Sequence, residues 1–176
     1  NNVADQAGVL LDPRVSDAVK VIQRMGLSLD CWLYHTQLDE LAQLADAHPD
    51  LTIVLNHVGS PILGGPYRGR TDEVFERWKV GIARASERQN VVVKLGAMPI
   101  RMPSYAGDRK LPPGSEEVSA AWRPWMETCI EAFGVERSMY ESNFPVQKRW
   151  CSYQVCWNAF KRVSAGASVA EKAQLF

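Results

Sequence analysis

The sequence lacks any apolar run near the roughly 18 residues that a membrane-spanning helix needs, so no membrane partner is expected. It also lacks an excess of charge of either sign, with 20 Lys+Arg against 20 Asp+Glu. Without a positive field, nucleic acid and anionic membranes are not expected partners either. Only four cysteines occur, Cys31, Cys129, Cys151 and Cys156, and none forms a CxxC pair. A disulfide scaffold is thereby disfavoured, and the four are expected to be reduced thiols of a cytoplasmic protein. No GxSxG elbow, P-loop or GxGxxG fingerprint occurs. The chain starts at Asn1 rather than Met, and Phe176 falls inside a helical pattern. Both ends are expected to be cut points in a longer protein.

What is present is enough apolar material for a core, 46% of 176 residues. It is patterned as alternating helices and strands. Val15, Val19, Ile22 and Met25 recur at helical spacing, and Gly26 is a natural stop. Residues 27–34 then read as a strand. Thr36 and Asp39 resemble a capping box before a helix carrying Leu38, Leu41, Ala42 and Ala45. Residues 51–57 form a strand apolar enough for burial on both faces. Thr71 is expected to cap a helix with the stripe Val74, Trp78, Ile82 and Ala85. Residues 91–96 are the third strand. A helix over residues 125–133 is expected, with Pro124 in its first turn. Residues 138–143 are the fourth strand. Ser152 and the pair Ser168/Glu171 open two further helices. The six tryptophans mostly sit at helical-face spacing and are expected in the core.

Strands separated by single helices must be parallel, so the class is α/β. A doubly wound open sheet and a (β/α)8 barrel both satisfy this order. The long connections, 58–70 and 97–114, all leave carboxyl ends of strands, where both architectures place their sites.

His35 ends the first strand and His57 the second, in Leu55-Asn56-His57-Val58-Gly59. Adjacent strands lie about 4.8 Å apart, so the two imidazoles can share a centre that binds a divalent metal or moves protons. Alternatively, each merely bonds loop backbone. His48 ends a helix before Pro49 and is expected to be a C-terminal cap or solvated. Lys94 lies within Val91-Val92-Val93-Lys94-Leu95-Gly96 and needs a carboxylate or the open end of the sheet. Glu141, on the fourth strand, is the expected partner. Lys94 is otherwise a substrate-binding candidate. Glu141 and Asn143 point to the same side. Asn143 can orient substrate or water, or open an Asx-turn. Arg68, Arg70 and Arg101 can bind an anionic substrate group.

Together His-Val-Gly, Val-Lys-Leu-Gly-Ala, Trp-Arg-Pro-Trp and Met-Tyr-Glu-Ser-Asn-Phe-Pro-Val resemble the amidohydrolase-related (amidohydrolase 2) family. The likeness runs from about Ser16 to Phe176. It implies a TIM barrel, with residues 1–176 forming the C-terminal part of one barrel domain and its fifth to eighth strands. It also implies hydrolysis of a lactone, ester or amide of a small carboxylate-type substrate. Some relatives are decarboxylases, and a non-catalytic acid-binding relative is a further alternative. In metal-dependent members the counterparts of His35 and His57 are ligands for a divalent ion such as Zn or Mn, beside a first-strand His-x-His. The family's usual Gly-Ser-Asp-Trp-Pro is here Glu141-Ser142-Asn143-Phe144-Pro145. Because Asn143 replaces the aspartate, a metal-free mechanism is preferred, with Glu141 expected to replace the missing carboxylate and His57 to assist.

Overall fold

The computed structural model describes residues 7–98 and 112–176. Six α-helices and four strands alternate: α1 (Pro13–Arg24), β1 (Leu29–Cys31), α2 (Leu38–Ala47), β2 (Ile53–Leu55), α3 (Thr71–Ser86), β3 (Val91–Gly96), α4 (Ser115–Phe133), β4 (Ser138–Glu141), α5 (Tyr153–Val163) and α6 (Val169–Leu175). The strands form one parallel sheet in the order β1-β2-β3-β4. No strand order reverses, so among the described strands there is none of the switch points that a doubly wound sheet requires.

The sheet has two distinct faces, because side chains alternate along a strand. Cys31, Ile53, Leu55, Val91, Val93, Leu95 and Tyr140 belong to the hydrophobic core with Trp78, Trp122, Trp125, Met126 and Phe160 from the helices. Trp78, Trp122 and Phe160 are fully buried, and burying each large side chain is worth about 3 kcal/mol before entropy. The rings interlock: Trp78 and Trp125 meet edge-on with centroids 4.8 Å apart, and Tyr140 stacks on Phe160 at 4.6 Å. The opposite face carries Asp30, Val54, Lys94, Met139 and Glu141.

Helix ends follow their local chemistry. Asp12 accepts from Arg14 N to cap α1, and Gly26 ends its exit at φ +66. Ser152 accepts from Val155 N at α5, and Ser168 and Glu171 form the expected capping box at α6. Two expected caps are corrected. Thr36 lies in a 3-10 turn, where Gln37 Oε1 instead takes the Tyr34 N–H at 3.1 Å. Thr71 is already helical, and Arg70, which bonds Glu73, holds the cap position. His48 is the C-cap of α2 but is buried rather than solvated, with Nε2 3.2 Å from Ser16 Oγ.

Helix α4 begins ten residues before the expected start at Trp125, so Pro124 lies inside it. An interior proline costs about 3 kcal/mol. Burial of Val118, Trp122, Trp125 and Met126 along one stripe outweighs that cost. Gly114 N donates to Glu117 Oε2 at 3.1 Å, which anchors the true start. The four cysteines are free and buried. Burial pushes the Cys31 thiol up to about 11, so it is an inert core group. Among the described residues no helix is long and apolar enough to cross a membrane.

Candidate active site

His35, His57 and Asn143 stand beyond the carboxyl ends of β1, β2 and β4, and Glu141 is the last residue of β4. Four consecutive residues just after β2 have positive φ: His57 at 60, Val58 at 48, Gly59 at 70 and Ser60 at 37. For non-glycine residues this region is costly, about 1–3 kcal/mol each, and it persists only where surroundings enforce it. The enforcing contacts are visible. Trp78 Nε1 donates to Val58 O at 2.6 Å within the core. Gly59 N donates to Asn56 O at 3.0 Å, and Ser60 N to His57 O at 2.8 Å. The Glu141 carboxylate accepts the His57 backbone N–H at 3.2 Å.

The same Glu141 oxygen is hydrogen-bonded to His57 Nδ1. Both side chains are mostly shielded, at 19% and 18% exposure. The link runs from β4 to the end of β2 and therefore passes over β3. It passes at Gly96, which is the register partner of Glu141. A Cβ on Gly96 would lie 2.7 Å from Glu141 Cγ. The absent side chain is what leaves room for the carboxylate. With a carboxylate on Nδ1, the neutral imidazole keeps its proton there and presents Nε2 as a free acceptor. This is the orienting arrangement of a general-base histidine, and equally of a metal-bound one.

Lys94 does not meet Glu141, contrary to expectation. Its register partner is Met139, two residues short of Glu141. Its ammonium instead pairs with Asp30 on β1, reaching over β2. Val54, the register partner of Asp30, lies beneath at 7% exposure. The sequence signal for Asp30 was its position, an acid of the same parity as Lys94 in an otherwise apolar strand.

His35 and His57 are engaged by different partners. His35 is 3% exposed, and its Nδ1 accepts the Ile62 N–H at 3.2 Å. Its ring meets Tyr67 edge-on, with centroids 5.1 Å apart. Burial, aided by the nearby Arg77 charge, lowers its pKa to about 4. A nitrogen that accepts an N–H leaves the proton on the other, so His35 in this tautomer has no lone pair free for a metal. His57, with Nδ1–H held by Glu141, does fit a metal through Nε2. Among the described residues no group of three or more His, Cys, Asp or Glu is placed to hold a metal ion.

Asn143 takes φ 51, and its carbonyl accepts from Gln147 N at 3.0 Å. Arg68 is exposed in the loop after β2. Arg70 bonds Glu73, so its charge is locally answered. Arg101 lies outside the described residues.

A parallel strand–helix array in the unreversed order β1-β2-β3-β4, with a histidine–carboxylate pair at its strand carboxyl ends, fits the barrel class of α/β proteins. The chain belongs to the amidohydrolase family, whose model matches residues 2–176. It is 35% identical over 164 residues to uncharacterized protein y4mH of Sinorhizobium fredii, covering 93% of this chain and 49% of that protein. The chain thus spans about half the length of the curated relative it matches. Among solved structures it resembles an amidohydrolase from Burkholderia multivorans, with TM-score 0.82 and 22% identity over 99% of this chain and 60% of the other. A second crystal form of that protein holds bound Zn. A Pseudomonas putida protein provisionally assigned as a 2-pyrone-4,6-dicarboxylic acid hydrolase matches at TM-score 0.59 and 21% identity, over 94% of this chain and 54% of that one. The fold is accordingly part of a (β/α)8 barrel.

Proposed function

We propose that this chain supplies the C-terminal half of a hydrolase active site at the mouth of a (β/α)8 barrel. The substrate class is a small carboxylate-type lactone, ester or amide. The observation that carries the reading is the carboxylate of Glu141 bonded to both the ring and the backbone N–H of His57. Family membership and the description of the Pseudomonas putida protein support the reaction class.

In this reading His57 Nε2 accepts a proton from water as the water oxygen attacks the carbonyl carbon, and the imidazolium then gives that proton to the leaving oxygen or nitrogen as the acyl bond breaks. Glu141 does not touch the water. It holds the imidazole in the productive tautomer and stabilises the imidazolium that forms. Glu141 thus stands in for the missing carboxylate through the imidazole rather than at the water. Asn143 orients the water or the substrate through its amide, since it cannot accept the proton. Lys94 and Arg68 are described candidates for holding a substrate carboxylate. Lys94 must exchange Asp30 for that carboxylate. Arg101 is a further substrate-binding candidate on sequence alone.

The reaction is assigned here without a metal, because Asn143 carries no charge where the family has an aspartate. Were a divalent Zn or Mn ion bound, His57 Nε2 is the described group that fits it, and the ion would polarise the carbonyl and acidify water. Among the described residues no group of three or more His, Cys, Asp or Glu completes such a site. His35, the other sequence-based ligand candidate, fits only after its ring proton moves to Nδ1 and its bond from Ile62 is lost.

The test is a panel of lactones, esters and amides offered to the full-length enzyme and its His57→Ala variant. Turnover lost in the variant supports the reading. Carbon dioxide release without hydrolysis replaces it with a decarboxylase. Saturable acid binding without turnover replaces it with a binding protein.

A further inference from the structure

His35 leaves a donor without a use. Its Nδ1 accepts from Ile62, so its Nε2 carries the proton, and that Nε2–H is buried with no hydrogen-bond partner. The neighbouring Thr36 Oγ1 is also buried and unpartnered. An unsatisfied buried polar atom costs about 1–3 kcal/mol, and two side by side call for an explanation. Both residues line a cavity of about 250 Å³ between α2 and α3, along with Leu38, Asp39, Arg77 and Arg84. Liquid water takes about 30 Å³ per molecule, so a tetrahedral oxyanion and several waters fit.

The charge in the cavity has one sign left over. Asp39 is engaged by Arg84 at 2.8 Å. Arg77, exposed at the cavity's rim, makes no salt bridge with a described residue, although its charge is felt at both His35 and Glu73. The helix spacing that walls the cavity is set at Gly81, where a Cβ would come 2.6 Å from Leu38 Cδ1. An uncommitted guanidinium beside two unpartnered donors is the chemistry of oxyanion recognition. The cavity lies on the helix side of the sheet, apart from the His57–Glu141 pair.

We propose that this cavity binds a small oxyanion, with Arg77 supplying the charge and the His35 Nε2–H and Thr36 hydroxyl completing its hydrogen bonds. Inorganic phosphate and a small carboxylate share this chemistry. The site is independent of the hydrolase reading above, since none of its cavity residues is assigned to the proton transfer.

Isothermal titration of the full-length protein with sodium phosphate at fixed ionic strength tests it, with acetate titrated in parallel. Saturable binding of either is expected, and their relative affinity identifies the source. Arg77→Ala removes a charge-assisted contact and is expected to weaken binding about tenfold or more. Thr36→Val is the second variant, expected to weaken binding by a smaller factor while leaving the unliganded protein at least as stable as before, since the lost hydroxyl had no partner. No saturable binding of either anion overturns the proposal. So does phosphate binding that is unchanged in Arg77→Ala, which would place the anion at the catalytic mouth or elsewhere.

Discussion

Gly96→Ala tests whether the bare backbone of β3 is what lets Glu141 reach His57. The added Cβ would lie 2.0 Å from the Glu141 carbonyl oxygen and 2.7 Å from its Cγ. Non-bonded carbon contacts settle near about 3.5 Å, so the end of β4 must move by roughly an ångström. Overpacking costs about 1–3 kcal/mol. Here the obstacle is backbone rather than a pliable side chain, which sets the expected loss near 3 kcal/mol. A misplacement of about 1 Å at the reacting groups costs about 100-fold in rate, so kcat/KM is expected to fall by about that factor. Urea unfolding and steady-state kinetics on the full-length enzyme read the two effects. Gly166→Ala is the control, because nothing lies within 4 Å of its added Cβ. It is expected to be neutral or to stabilise by about 0.5 kcal/mol. A Gly96→Ala enzyme within about 0.5 kcal/mol of wild type and fully active would refute the crossing.

Trp78→Phe removes the donor to Val58 O and leaves that buried carbonyl unpaired, so a loss of about 2–4 kcal/mol in urea unfolding is expected from the orphaned group and the cavity together. His35 is held neutral with its pKa lowered to about 4. The unfolded chain, with its histidine near 6.5, binds the proton first as pH falls. The contribution is therefore complete above about pH 6.5 and lost toward pH 4, amounting to about 2 kcal/mol between pH 6.5 and 5. His35→Gln should lack that slope when urea midpoints are compared across the range. An Asp30→Asn/Lys94→Met double-mutant cycle should return about 0.2–1 kcal/mol, since Asp30 is 47% exposed. A coupling above about 2 kcal/mol would mean that the pair is desolvated in the full barrel.

Much of this architecture was legible because hydrophobic period and caps agreed. The α3 stripe of Val74, Trp78, Ile82 and Ala85 is buried as its spacing required. The third strand was read at its full extent, Val91–Gly96, but the first was read too long: residues 27–34 contain only Leu29–Cys31 as strand, because the apolar run continues into the turn that carries His35. Pro124 masked the first half of α4, although Val118, Trp122, Trp125 and Met126 keep one helical stripe straight through it. Parity placed Glu141 and Lys94 on one face but could not supply their register. A two-residue offset between β3 and β4 gives Glu141 to His57 and Lys94 to Asp30. Nor does any local signal foretell the left-handed turn at residues 57–60, which depends on Trp78, twenty residues beyond Val58.

The most direct measurement is the protonation state of the His57 ring, read by long-range nitrogen–proton NMR on full-length protein with labelled histidine and assigned with a His57→Gln sample. Within the neutral form, a proton at Nδ1 with a bare Nε2, a preference lost in Glu141→Gln, is the predicted result. A ring protonated at Nε2, or one indifferent to Glu141→Gln, would contradict it.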